Sequence, residues 1–373
     1  MSKLHWGLAA ALAGAIILGG CSRPSGGDDR ASPVAPALPA PVPEAPAAVE
    51  PATVVEPAPP PPVAPVPSKK KLAWLRAEIE RKAKLADELW AFAQQFDDNN
   101  HIGTMYNEWH INEHHCFVLG HLLRRGELVS GAEITYSTDL AAAEPDTQEI
   151  RVDGHSMRNF VAVAENLLKK SPDERVAEWN VDCVGQYGIP KDAYIRAATT
   201  SFYAITGEGK VLRILGDIEV GFADKVQAAL DANPTVEVVA LGSGGGVVGE
   251  AIRAGMMIRD RKLTTTLWNN CYSACPLVFF GGHNRDIWSP YPRLGFHQIY
   301  TMESGAAPVD SDVYKVIAAY LSAMGVDARY VLLNMWAAGP ADMNYVDPNV
   351  SQVDFCEKGL ATWVQRRCNK KPD

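Results

Sequence analysis

What this chain lacks excludes a good deal. The apolar run from Trp6 to Leu18 is 13 residues long, short of the roughly 20 that a spanning helix needs. Basic residues are outnumbered, 35 Lys and Arg against 44 Asp and Glu, which leaves a formal net charge of −9 and a pI near 5.5. A general nucleic-acid binder needs a basic face to replace counterions, so no nucleic-acid partner is expected. An anionic bilayer surface is disfavoured on the same ground. No G-x-x-x-x-G-K-[ST] segment occurs, so the chain cannot power unfolding with ATP itself. Proline is scarce in the body of the chain, because 15 of the 26 prolines precede residue 69.

What is present begins with an export pattern. "MSKLHW", "GLAAALAGAIIL" and "LGGC" supply a lysine, an apolar stretch and a small-residue ending, so residues 1–20 read as a signal peptide. Leu-Gly-Gly-Cys resembles a bacterial lipobox, which would make Cys21 the lipidated first residue of the mature protein. Ser22 after it resembles the outer-membrane sorting pattern. The expectation is a lipid-anchored protein of the cell envelope in a Gram-negative-type bacterium, facing the periplasm. An ordinary secretory signal with an incidental cysteine is the alternative.

Export changes the meaning of the other cysteines. Six remain, an even set that favours disulfides in an oxidising compartment, with about 15 possible connectivities. Pairing neighbours in sequence predicts Cys116–Cys183, Cys271–Cys275 and Cys356–Cys368. Cysteines four apart on a regular helix have Cβ atoms ~5–6 Å apart, whereas a disulfide wants ~3.8 Å. The middle pair therefore closes only if Cys271 lies just outside a helix.

Four regions are expected. Residues 21–68 are a Pro/Ala-rich tether that cannot bury a core and favours polyproline II segments. At ~3.1 Å per residue it would hold the folded part on the order of 100 Å from the membrane. Residues 69–200 form a mostly α-helical region of unknown role. Within it, Leu72, Leu75, Ile79, Ala86, Leu89, Ala93 and Phe96 recur near helical spacing over 69–98, interrupted by Lys82. A short coiled coil and a helix packed on its own domain both produce that pattern. "SMRNFVAVAENLLKK" (156–170) is a second helix, and turn chemistry appears at Gly188 and Pro190.

From residue 201 to 373 strands alternate with helices. "GKVLRILG", "TVEVVALGS" and "KLTTTLWN" read as strands, while "FADKVQAALDANP" and "GGVVGEAIRAGMMIRDR" read as helices. That order predicts an α/β fold with a parallel sheet and right-handed crossovers.

Four pieces converge in this region. "SGGG" (243–246) ends an apolar strand, where α/β sheets bind ligands and where amides can stabilise an oxyanion. Ser273 follows the next strand in "NNCYSACPLVFFGG" and opens a helix. His297 in "RLGFHQI" comes 24 residues later, and Asp342, Asp347 and Asp354 follow. Serine is a weak nucleophile that needs a base, and a carboxylate would set the histidine's tautomer. A serine that merely caps a helix gives the same local pattern.

The order "SGGG", "CYSAC", Arg285, Pro290 and His297-Gln298 resembles the proteolytic subunit of the Clp protease, within the ClpP/crotonase superfamily. The closest likeness is to exported relatives with a Cys-x-Ser-Ala-Cys segment. The resemblance covers about residues 208–365, roughly two-fifths of the chain. It implies a ClpP/crotonase-like fold with βα repeats. Ser273 would be the nucleophile and His297 the general base. Gly246 and Ala274 would be the oxyanion donors, with Gly245 supporting the turn. Asp342 would be the acid, one residue out of register with the family pattern. A third glycine also replaces the family's proline. The resemblance further implies a peptide or protein substrate, no cofactor and a homo-oligomer. Acyl-thioester chemistry of the crotonase kind is disfavoured in an exported protein, where coenzyme A is not expected. A non-catalytic envelope scaffold that binds peptide segments is the alternative from another class.

A second motif competes upstream. "HINEH", His110 to His114, fits the inverted zinc-peptidase pattern H-x-x-E-H, with Glu174 or Glu178 as a third ligand. Five of the nine histidines fall between His101 and His121, so such a fit arises easily by chance. A polar helix face is the expectation, with no metal.

Overall fold

The computed structural model describes residues 63–95, 108–129, 140–141, 145–197, 199–288, 292–301, 305–346 and 352–364; of residues 108–112 and 352–354 it describes the backbone alone. Cys21 and most of the expected tether lie outside the described residues, as do Cys368, Pro290 and Asp347. Residues 59–373 form one unit, so the helical region and the sheet are packed together.

Helix α1 (Lys69–Ala93) starts where the Ser68 hydroxyl accepts the Lys71 N–H at 3.2 Å, satisfying one of the orphan donors of a helix start. It buries Leu75, Ala86, Leu89 and Ala93. Lys82, which interrupts the apolar spacing, is buried as well, with its ammonium 5.0 Å from the Phe160 ring centroid. A cation over an aromatic face is attracted by the ring quadrupole, so the interruption is absorbed in the packing. Phe160 belongs to α3 (Thr147–Lys169), against which α1 lies. α1 is thus a helix packed on its own chain.

α2 (Glu108–Leu122) carries Cys116, which is bonded to Cys183. α4 (Pro172–Glu178) opens with a reciprocal Ser171–Glu174 capping box and Pro172 in its first turn. It runs straight into one wide π-helical turn, Trp179–Cys183. Trp179 is fully buried there, its indole N–H donating to Ala193 O at 3.0 Å.

The sheet follows. β1 (Ser201–Thr206) and β2 (Val211–Gly216) are antiparallel, joined by a tight turn. β2, β3 (Val238–Ser243), β4 (Thr264–Tyr272), β5 (Asn284–Ile287) and β10 (Trp363–Val364) then pair in parallel, in that spatial order. The strands are rich in Val, Ile, Leu and Thr, the residues that fit a pleated buried surface. α5 (Phe222–Ala232) and α6 (Val248–Asp260) are the crossovers, and their Val226, Leu230, Ala254 and Ile258 join Val239 and Leu241 in the core. α7 (Cys275–Phe280) is buried along its length. The class is mixed α/β with a mostly parallel sheet, preceded by helices.

One irregularity positions the site. β4 pairs with β3 through Leu241↔Leu267, and pairing resumes at Ser243↔Cys271. Trp268 to Asn270 therefore bulge out of the ladder, and the end of β4 swings away from β5 to pair with β6 (Leu294–Phe296). β6 is backed antiparallel by β9 (Asn344–Val346). A small hairpin, β7 (Tyr300–Thr301) with β8 (Gly305–Ala306), precedes α8 (Asp312–Ala323) and α9 (Ala328–Trp336), and α10 (Gln352–Glu357) leads into β10.

Candidate active site

Ser273 occupies the turn between β4 and α7 with φ +60°. A left-handed conformation costs a non-glycine residue about 1–3 kcal/mol and persists only where surrounding structure enforces it. Two restraints do so here. The Ser273 N–H donates to Gly295 O at 2.9 Å. The Cys271–Cys275 disulfide spans the turn with Cα atoms 5.2 Å apart. Cys271 is the penultimate residue of β4 and Cys275 the first of α7, so the pair is not confined to helical geometry. Both cysteines are buried, while Ser273 keeps partial exposure.

The glycine loop faces the serine. Ser243 Oγ accepts the Gly245 N–H at 3.0 Å, closing a tight turn after β3. Gly245 and Gly246 have φ of +103° and +141°, which L side chains rarely adopt. A Cβ on Gly246 would fall 2.2 Å from Ile218 O, so only glycine admits the bridge to Ile218. That bridge is made by Ile218 N–H to Gly245 O at 2.8 Å and Val247 N–H to Ile218 O at 2.7 Å. Neither the Gly246 N–H nor the Ala274 N–H makes a hydrogen bond among the described residues. Ala274 is buried beside the serine.

His297 immediately follows β6, whose Gly295 pairs with Tyr272 of β4. Its Nδ1 lies 2.7 Å from Gln298 O. A carbonyl can only accept, so Nδ1 carries the proton and Nε2 keeps its lone pair. Burial pushes the imidazole below its usual pKa, and the hydrogen bond to Gln298 O offsets this only in part. The ring is therefore neutral at pH 7, the form that accepts a proton. No hydrogen bond joins its ring to Ser273 Oγ among the described residues.

Asp342 stands apart. Its carboxylate is 70% exposed and 2.8 Å from Lys191 Nζ. That ammonium holds its pKa down. No hydrogen bond or ion pair joins Asp342 to His297, whose Nδ1 is occupied by a main-chain carbonyl. The acid expected from the family pattern is thus not on the histidine. A chain that turns at Gly339 to Asp342 before β9 spends this side chain on Lys191 instead. Of the other acidic candidates, Asp347 and the side chain of Asp354 lie outside the described residues. Arg285 is structural: its guanidinium is buried among the carbonyls of Gly282, Phe280 and Met324. Burial and Arg259 lower it to about 10.

In the histidine-rich helix α2, His114 serves packing. His114 is buried, with Nδ1 3.1 Å from Asn159 Oδ1 and its ring edge-on to Phe160. Glu174 is committed to the capping box and Glu178 to Lys170 and Arg213. Among the described residues no group of three or more His, Cys, Asp or Glu is arranged to hold a metal ion; the His110 side chain and His101 lie outside them. Cys356 is disulfide-bonded, while its expected partner Cys368 is not among the described residues.

Sequence reading missed a buried polar cluster behind the site. Asp182 in the π-helical turn is 2.6 Å from Asn269 Nδ2 and 3.0 Å from the Asn270 N–H. His115 Nε2 lies 3.4 Å from Asp182 and 3.6 Å from Glu178. Glu178 also accepts from Arg213 at 2.7 Å and from Lys170. Burial raises the Asp182 pKa, but His115, the Asn270 N–H and Asn269 outweigh it and leave the carboxyl below its usual value. The only signal available in sequence was the charged and histidine-rich composition of residues 110–182, which does not name a partner on β4.

No family model matches the chain, and no curated protein matches it. Solved structures are similar over part of it. ClpP1 from Listeria monocytogenes is 14% identical, with 44% of this chain and 94% of that one covered at a TM-score of 0.34. A mutant of the same ClpP1 is 15% identical, with 42% and 92% covered at 0.33. A mutant of the membrane-bound stomatin-specific protease 1510-N is 15% identical, with 42% and 78% covered at 0.32.

Proposed function

We propose that this chain is a serine hydrolase that cleaves peptide bonds, anchored through Cys21 to the outer membrane and facing the periplasm. The observation that carries the reading is the strained Ser273 turn, placed against Gly245, with the neighbouring Gly246 and Ala274 amides unbonded among the described residues. Strain of this kind is retained where function needs it. Ser273 Oγ attacks the scissile carbonyl carbon while His297 Nε2 takes the hydroxyl proton. The carbonyl oxygen becomes an oxyanion that accepts from the Gly246 and Ala274 N–H groups. The C–N bond then breaks, the histidine returns its proton to the leaving amine, and water hydrolyses the acyl-serine. The Ser273–His297 bond forms in the substrate complex, since such bonds are commonly open in unliganded enzymes. Gln298 O, rather than Asp342, holds the tautomer.

A second reading has its own observation. The separation of Asp342 from His297, and the open Ser273–His297 pair, favour a non-catalytic scaffold that keeps the fold and binds peptide segments. Labelling with a fluorophosphonate probe separates the two, because the serine displaces fluoride from phosphorus only if it is activated. Covalent labelling of wild type, lost in Ser273→Ala and in His297→Ala, supports the hydrolase. A folded wild type that takes no label supports the scaffold, and equal labelling of wild type and Ser273→Ala removes Ser273 as the nucleophile.

A further inference from the structure

Residues 179–186 of the helical region bond to β4, which leads to Ser273, and to Arg293, which leads into β6 and His297. The bulge in β4 leaves the Asn270 N–H without a partner on β3, and Asp182 Oδ1 accepts it at 3.0 Å. Asp182 Oδ2 accepts from Asn269 Nδ2 at 2.6 Å. Asn270 is three residues from Ser273. Its side-chain oxygen in turn accepts the Arg293 N–H at 3.0 Å, and Arg293 O accepts the Cys271 N–H at 3.0 Å. Arg293 precedes β6, four residues from His297, and its guanidinium donates to Gln186 Oε1 at 2.7 Å. Gln186 Nε2 donates to the hydroxyl of Tyr345 on β9. The segment itself is fastened by Cys116–Cys183 and the buried Trp179.

We infer that Asp182 and Gln186 are positioning residues: they clamp the end of β4 and the start of β6, and so hold Ser273 and His297 in their relative places. The catalytic consequence rests on the hydrolase reading above; the clamp does not. Sheet pairing alone cannot do this work at the bulge, because a bulged strand loses ladder bonds where it bends. A buried carboxylate that accepts a main-chain N–H replaces one of them with a charge-assisted bond, about twice as strong as a neutral one. The helical region is thereby a working part of the site rather than a spacer between tether and sheet.

The test uses the full mature chain. Hydrogen exchange is read in peptides covering residues 268–275 and 293–299, alongside fluorophosphonate labelling kinetics. Asp182→Ala should speed exchange in 268–275 at least tenfold while α1 and α3 stay protected. Gln186→Ala, at a less buried position, should do the same for 293–299. Labelling at saturating probe should slow at least tenfold in Asp182→Ala with half-saturation within threefold of wild type. Asp182→Asn keeps an acceptor for Asn270 and should recover part of both losses. If Asp182→Ala does not fold, Asp182→Asn and Gln186→Ala carry the measurement. Unchanged exchange in both peptides of the folded variants overturns the clamp, and faster exchange with unchanged labelling overturns its positioning role. A wild type that takes no label defeats the hydrolase reading alone, and the exchange data still decide the clamp.

Discussion

A methyl group on Gly245 would fall 2.4 Å from Ser273 Cβ and 2.8 Å from its Oγ. The loop after β3 and the turn after β4 are thus in direct contact, with no room between them for any side chain. Gly245→Ala adds that clash to a φ of +103°. The expected cost is about 1–3 kcal/mol of stability, read as a lower urea midpoint, with labelling of Ser273 reduced at least 100-fold. A variant that labels like wild type would show that the two turns can separate without loss.

The pH dependence follows from His297. Burial lowers its folded pKa below the unfolded value of about 6.5. The base is neutral above that lowered pKa, so the acid limb of a labelling profile should lie below pH 6.5 and the rate should be flat near pH 7. Stability moves the same way. Between the two pKa values the unfolded chain binds more protons, so this contribution is present above about 6.5 and is lost as pH falls through the folded pKa. In His297→Gln that share of the pH dependence should vanish from denaturant titrations.

The two disulfides should differ in kind. Chain-entropy scaling assigns about 4 kcal/mol to Cys116–Cys183, which spans 67 residues, and about 2 kcal/mol to Cys271–Cys275, which spans 4. Urea unfolding of the paired Cys→Ala variants should therefore show the larger loss for the longer loop. Labelling should show the reverse order, because the shorter pair spans the Ser273 turn itself, whereas the longer one acts on it only through the 179–186 segment. Equal effects on labelling would mean that the turn does not need its brace.

Asp342→Ala should leave labelling within about twofold of wild type. Its carboxylate is exposed and engaged by Lys191, and exposed ion pairs contribute little, roughly 0–1 kcal/mol. A loss near 10⁴-fold, as seen when a triad acid is removed from a serine protease, would instead return Asp342 to the histidine.

The sequence by itself determined the order of strands and helices from Val211 to Phe280, because apolar runs and glycine turns are local signals that need no distant partner. It also determined which chemistry was on offer: a serine between two cysteines, a glycine loop before it and a histidine after it. Pairing cysteines by proximity reached both bonds whose two partners are described, since short loops close with the least entropy. Tertiary structure alone decided the rest. Ser273 is in a left-handed turn because Gly295 and the Cys271–Cys275 disulfide hold it there; the disulfide is offered by "CYSAC", but the backbone conformation and the bond to Gly295 O are not. The carbonyl on His297 belongs to its neighbour Gln298, and no side-chain pattern announces a main-chain acceptor. Asp342 came within one residue of the family spacing, yet the turn before β9 delivers it to Lys191, 151 positions away. Asp182 meets Asn270 across 88 positions. Such contacts depend on how two layers dock, which local periodicity does not encode.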